Sequence, residues 1–284
     1  MNLLPEKMPV KVYTSQDKNA PLLDKSPNCM ATIFKACLIT GYGDKAGAGW
    51  TMPFEDSQKG IKVFRPPISA EQDFYLRVSQ DNGKTMLAQV YTSMSDINTG
   101  ELKLQLDNVF NYAKTNNTGK WVMIVSPRGF WFLTEQYYYS GDGSYGAYFF
   151  VGDTAPDTKG QKGVWLAHTS GTDSGVFTGV QDANAASLHT SASKIYLPML
   201  NMVKIASAES WFTGRKKTDI PILANVALFT NGSCYVLPSI FSTSAGPTNK
   251  NGSLLGMDGR SMMAYNTASN ELQNHYFATD YWEY

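Results

Sequence analysis

Apolar and polar positions repeat with two different periods along this chain. In DKSPNCMATIFKACLITG (Asp24 to Gly41), Met30, Ile33, Phe34, Cys37 and Leu38 fall at i, i+3, i+4, i+7 and i+8. That spacing lays one apolar stripe along a helix that faces a core. Ser26 stands where it can cap the helix, and Pro27 fits its first turn. Gly41 or Gly43 can supply the left-handed residue that ends it. This is the one well-marked helix.

Everywhere else the pattern is that of strands. Short runs rich in β-branched and aromatic residues include VKVYTSQ from Val10, GIKVFRP from Gly60, DFYLRVSQ from Asp73 and MLAQVYTS from Met86. KWVMIVS, GFWFLTEQYYY, YGAYFFVGD, PILANVALFT and SCYVLPSIF follow. Turn residues separate several of them. Asn82-Gly83, within Asp81 to Lys84, accommodates positive φ at both central positions of a hairpin turn. Pro127-Arg128-Gly129 and Asn231-Gly232 mark two more hairpins. Thr154 to Ser193 is polar and small-residue-rich, interrupted by GVWLAH and GVFTGV, and reads as long loops with short strands. GSLLGMDGRSMMAYN and NHYFATDYWEY read as two final strands. The tail is aromatic to Tyr284, so it is expected to dock on its own domain or on a neighbour. The predicted fold is mainly β (α+β): an antiparallel β-sandwich or barrel-like core of hairpins with one N-terminal amphipathic helix. One β-rich domain over 1–284 is expected. A soft division is possible into 1–153 and 194–284, with 154–193 loop-rich.

Charge alters this picture more than size does. Lys+Arg and Asp+Glu both number 24, so the net charge is zero. Nothing here draws the chain towards nucleic acid or anionic lipid. Charged residues make up 17%, below the usual ~25%. Low charge and zero net charge give poor colloidal repulsion, which suits a subunit packed against neighbours. Three cysteines, Cys29, Cys37 and Cys234, show no disulfide or zinc spacing. Cys29 and Cys37 read as small apolar residues of the helix. MNLLPEKMPVKVYTS lacks the pattern of a secretory signal, and no run approaches ~20 apolar residues, so no membrane span is expected.

The stretch LITGYGDKAGAGW (Leu38 to Trp50) has the composition of a phosphate loop. A phosphate loop, however, lies between a strand and a following helix and ends in Lys-Ser/Thr. Here the helix comes first and Lys45 precedes alanine. The reading is a helix-ending turn at Gly41 and Gly43, with Trp50 and Phe54 anchoring the far end of the loop. GDGSYG (Gly141 to Gly146) matches G-x-G-x-x-G by letter but precedes a strand, so it reads as a turn. His168, His189 and His275 form no metal-binding spacing, and no G-x-S-x-G anchors a catalytic triad. Asp142, Asp153, Asp157 and Asp173 are scattered, with no ligand or glycosidase spacing. No catalytic residue, cofactor or metal is assigned. The basic cluster GRKKTD (Gly214 to Asp219) follows the aromatic pair Trp211-Phe212. Trp211, Arg215, Tyr281, Trp282 and Tyr284 are the candidate interface residues.

VYTSQDKNAPLL, GYGDK, GWTMPF and the Phe64-Arg65 strand together resemble the N-terminal region of a family of tailed-bacteriophage virion structural proteins. DFYLRVSQDNG, VYTSMSDINTG and WVMIVSPRGFWFLTE are similar to its later strands, and LLGMDGRSMMAY to a run near its C-terminus. The resemblance is clear over residues 10 to 135, thin through the middle and patchy at the end. Thr40 departs from the family's frequent Asn, and the usual Gly-Pro-Trp ending is missing. The resemblance implies a neck, tail or head-surface subunit that forms a homo-oligomer and contacts capsid, portal or tail proteins. It implies a place in the virion after synthesis in the bacterial cytoplasm, and no catalytic residue. The alternative is a receptor- or carbohydrate-binding β-sandwich at a baseplate or fibre, with Trp131, Tyr137 or Trp211 stacking on sugar. A hydrolase using the scattered aspartates ranks last.

Overall fold

A computed structural model describes residues 6–67, 73–109, 115–138, 144–155, 163–168, 185–188, 192–197, 202–205, 207–211, 224–230, 233–243, 252–257, 259–266 and 274–284. In chain order, β1 (Lys7–Pro9) and β2 (Lys11–Thr14) precede α1 (Cys29–Lys35) and a π-helical turn (Ala36–Thr40). Then come β3 (Thr51–Asp56), β4 (Ile61–Arg65), β5 (Tyr75–Ser79), β6 (Met86–Met94) and β7 (Gly100–Val109). β8 (Thr115–Ser126), β9 (Gly129–Tyr138), β10 (Ser144–Asp153) and β11 (Val164–His168) follow. Next are β12 (Ala185–Leu188), β13 (Ala192–Leu197), β14 (Met202–Ile205), β15 (Ser207–Trp211), β16 (Ala224–Thr230) and β17 (Ser233–Thr243). β18 (Leu254–Met257), β19 (Arg260–Asn266), β20 (Asn274–Ala278) and β21 (Tyr281–Glu283) complete the chain. The fold is mainly β, with antiparallel sheets and, among the described residues, a single short helix near the N-terminus.

Three sheets stack in layers. The middle sheet has the order β14-β13-β11-β10-β9-β8-β2. One neighbour has the order β3-β4-β5-β6-β7, and the other β12-β15-β16-β17-β20-β19-β18. The middle sheet explains why its strands are almost continuously apolar: both of its faces are covered, so neither alternate set can be polar. Trp121, Met123, Phe130, Phe132, Phe149, Val151, Val164 and Leu166 face α1 and the five-stranded sheet in one core. Their sequence neighbours Val122, Ile124, Trp131, Leu133, Tyr148, Phe150, Trp165 and Ala167 face the other sheet in a second core. The period of two thus divides one run of residues between two cores.

The helix is shorter than its apolar stripe suggests, and it starts differently. Met30, Ile33, Phe34, Cys37 and Leu38 are all buried as the pattern predicts. Phe34 carries the contact, with ring centroids 5.2 Å from Phe130, 5.1 Å from Phe132 and 6.4 Å from Phe64. Ser26 and Pro27 do not start the helix. Its cap position is Asn28, at φ 66°, and no side-chain cap comes from that residue. Asp81, fifty residues on, takes the role: its Oδ2 accepts from the Ala31 N–H at 2.9 Å, and its backbone carbonyl accepts from Asn28 N–H at 2.8 Å. Burial pushes the Asp81 carboxyl above its ordinary value, against the Ala31 and Gly83 N–H groups that favour the charged form.

That arrangement also changes the Asp81–Lys84 turn. Gly83 has φ 80°, but Asn82 is not at positive φ, so the predicted turn with both central residues left-handed does not form. Asn82 Oδ1 instead accepts from the N–H groups of Lys84 and Thr85. The other two hairpins close as expected, with Ser126 opposite Gly129 and Thr230 opposite Ser233. Several strands carry no clear signal in the pattern, among them β3 (TMPFED), β7 (GELKLQLDNV) and β12 to β15. The two runs expected as single final strands are each two: β18 pairs with β19, while β20 and β21 lie in different sheets. The region 154–193 contains β11, which is central to both cores, as well as β12 and the start of β13.

Candidate functional site

The glycine loop is built on the end of the helix. After Lys35 the helix widens, and Gly41 N–H reaches back to the Ala36 carbonyl at 2.8 Å. Helix ends leave carbonyls without intrahelical donors. The loop returns to supply them: Ala48 N–H donates to Cys37 O at 2.9 Å and Trp50 N–H to Leu38 O at 3.2 Å. Gly41 ends the helix at φ 73°. Gly43, at φ 57°, lies so close to the Lys18 carbonyl that a Cβ would sit 2.3 Å from it. Gly47 makes the closest crossing over the helix end, where a Cβ would meet the Ile39 carbonyl oxygen at 2.2 Å. Gly47 is not legible in the sequence because its constraint is contact with the backbone of Ile39, eight residues earlier, which leaves no local signal.

Trp50 pins the far end as expected. It is buried, its indole N–H donates to Ser126 O at 3.2 Å, and its ring lies 5.6 Å from Phe130. Phe54 does not share this role. It is half-buried on β3 opposite Val63, and the β3 residue packed on the core is Met52. The register of β3 against β4 shifts between Thr51 and Phe54, so the alternation that would carry Phe54 onto the core beside Met52 is interrupted.

The middle of the loop lies along the open edge of β2. Lys45 Nζ donates to Val12 O at 2.9 Å and pairs with Asp17 Oδ2 at 2.8 Å. Tyr42 Oη donates to the same carboxylate at 2.8 Å, as does Thr14 N–H at 2.7 Å. Tyr13 Oη donates to Ala46 O, and Lys11 Nζ to Gly47 O, both at 2.7 Å. Side chains of the loop thereby occupy backbone acceptors that an edge strand would otherwise present to another chain. Burial pushes the Asp17 carboxyl up, but its bonds from Lys45, Thr14 and Tyr42 outweigh this and hold it below the usual range. Burial, with Asp17 nearby, raises the Cys37 thiol well above its ordinary value. A thiol so held is protonated and unreactive at neutral pH. Burial, first, also raises the Tyr42 hydroxyl.

Beside this network runs an open groove of about 590 Å³ between β2 and the pair formed by β19 and the edge strand β18. Val12, Thr14, Asp17 and Lys45 form one wall; Leu254, Gly256 and Met263 belong to the other. Its two charges neutralise each other, so it offers no net charge to a phosphate.

The remaining predicted residues fall elsewhere. Trp282 is 0% exposed and Tyr284 is 7% exposed, both in the core between the middle and β18-bearing sheets. They are therefore not surface contacts, which corrects their assignment as interface residues. The cause is β1, which pairs with β21 and draws the tail onto its own chain: Glu6 and Tyr284 exchange backbone hydrogen bonds at 3.0 and 2.9 Å. Tyr281 is half-buried, with Arg260 3.6 Å and Lys7 4.5 Å from its ring centroid. The side chain of Trp211, on β15, and all of Arg215, with Gly214–Asp219, lie outside the described residues. Trp131 is buried and donates from Nε1 to Ser239 Oγ at 2.6 Å, so it cannot stack on a sugar; the Tyr137 side chain lies outside the described residues. Of the four scattered aspartates only Asp153 is among the described residues, and it is buried. His168 and His275 are buried, and His189 lies outside the described residues. Among the described residues no group of three or more His, Cys, Asp or Glu side chains is placed to hold a metal ion. No described helix is long and apolar enough to cross a membrane. Comparison with protein families, curated proteins and solved structures finds no match to this chain.

Proposed function

We propose that the protein is a structural subunit of a tailed-bacteriophage particle, in its neck, tail or head surface, working through repeated protein–protein contacts. The observation that carries this reading is the use made of the motif residues. Val12 to Leu22, Gly41 to Lys45 and Gly49 to Phe54, which resemble the phage family, meet in one joint. Lys45 ties Val12 and Asp17 together there, and Trp50 locks the loop to the middle sheet. The polar groups of Tyr13, Asp17, Tyr42, Lys45 and Trp50 are spent on internal bonds that set the shape of a sheet edge. A repeating subunit needs that rigidity, and a reaction centre would need some of these groups unspent.

The test is immunogold labelling of particles purified from lysates of infected host cells, using antibody raised to the full chain. Regularly placed label at one position on the particle supports the proposal. Particles without label, with the protein left in the soluble fraction, overturn it. The carbohydrate-binding alternative loses Trp131 to the core, and a glycan array tests what remains of it.

A further inference from the structure

We propose that the outer edge of β18 is a self-pairing surface, which joins two copies of this chain through antiparallel β18–β18 contact. The argument starts from which backbone groups point outward. On β19, the Ser261 carbonyl accepts from Thr279 N–H on the β20 side, and Ala264 N–H donates to Ser253 O on the β18 side. Alternation then turns Met262 and Arg260 towards β18. Their partners are Leu255 and Met257. The N–H and C=O groups of Leu254 and Gly256 therefore point away from β19, to the outer edge, where no described residue pairs with them. Leu254 is 68% exposed, and a Cβ on Gly256 would meet nothing within 4 Å.

Edge strands are usually blunted by charge, proline or cover. Among the edges of the three stacked sheets whose side chains are described, three follow that rule. β2 is covered by the glycine loop. β3 carries Pro53, Glu55 and Asp56, and β7 carries Glu101, Lys103 and Asp107. β18, with its sequence LLGM, carries none of these.

The occupant is a second copy because the edge is complementary to itself. A two-fold axis through Leu255 places Leu254 opposite Gly256 of the other copy, and Gly256 opposite its Leu254. These are the outward-pointing residues, so each pair can exchange N–H···O=C bonds. The space over Gly256 receives the other copy's Leu254 side chain on the groove side of the sheet. An isologous contact needs this reciprocity. No charge on β18 opposes itself across the axis. The pairing would join the two β18-bearing sheets edge to edge.

The inference deepens the homo-oligomer part of the proposed function and is tested apart from it. Sedimentation velocity of the full chain is expected to show a dimer. Leu254→Lys, at an exposed position that the fold does not need, is expected to weaken the dimer by about tenfold or more while leaving the circular dichroism unchanged. In a Cys234→Ser background, Leu255→Cys should form a 255–255 disulfide on oxidation, mapped by mass spectrometry. Opposed residues of an antiparallel pair have Cβ atoms about 4.5–5.5 Å apart, whereas a 254–254 pair is offset by two residues along the strand. A folded monomer, a dimer indifferent to Leu254→Lys, or cross-links in another register overturns the pairing. So does capture of β18 by a different particle protein. A monomer with labelled particles overturns the pairing alone; a β18 dimer with unlabelled particles overturns the particle reading alone.

Discussion

Replacing Gly47 with alanine adds one methyl group where the loop crosses the end of the helix. That methyl would sit 2.2 Å from Ile39 O and 2.6 Å from its carbonyl carbon, both backbone atoms that cannot rotate away. The loop must retreat. The Ala48–Cys37 and Trp50–Leu38 hydrogen bonds lie immediately beyond, and the Lys11 ammonium bonds Gly47 O itself. Overpacking costs about 1–3 kcal/mol, and weakening two backbone bonds adds ~0.5–1.5 kcal/mol each. A loss of about 2–6 kcal/mol follows, which lowers Tm by roughly 3–10 °C for a chain of this size. Gly49→Ala is the matched control. It has φ 90° but nothing within 4 Å of the added Cβ, so it pays only the left-handed backbone cost of roughly 1–2 kcal/mol. Urea unfolding of both variants, with calorimetry, separates contact from conformation. A Gly47→Ala protein as stable as wild type, or less affected than Gly49→Ala, would refute the close crossing.

Three further outcomes follow from the same geometry. Asp81→Ala should cost about 2–3 kcal/mol in urea unfolding, because it removes a helix cap and strands the Ala31 and Gly83 N–H groups; Asp81→Asn, which keeps an acceptor, should cost less. Burial pulls the His275 imidazole down to about 3, so the unfolded chain takes up a proton that the folded chain refuses, and stability should fall as pH drops below ~6.5, by up to ~1.4 kcal/mol per unit. His275→Gln should remove that part of the slope, and an unchanged acid profile counts against it. Trp282→Ala should cost about 3–5 kcal/mol by opening the second core, whereas Tyr284→Phe, losing only the 2.9 Å bond with Ser126, should cost ~1 kcal/mol.

Local physics carries far in this chain, and its failures share one cause. The apolar stripe from Met30 to Leu38 marks the helix because 3.6-residue periodicity is a property of neighbours in sequence. The hairpins at Pro127 and Asn231 are legible for the same reason. The near-continuous apolar runs of β8 to β11 signal burial, but their division between two cores depends on what the other sheets cover. Ser26 was passed over for Asp81 because a cap supplied from fifty residues away satisfies the same N–H groups and is invisible locally. Trp282 and Tyr284 look like an exposed aromatic tail until β1 pairs with β21. Of the candidate site, Gly41, Gly43 and Trp50 were readable as a turn and its anchor. Gly47, the Lys45–Asp17 clamp and the open β18 edge exist only once distant strands are brought together.

A density map of the intact particle tests the central proposal most directly. The account predicts the three-layer fold at symmetry-related sites, with the glycine loop closed along β2 in every copy. A particle whose map and protein inventory contain no copy of this chain would contradict it.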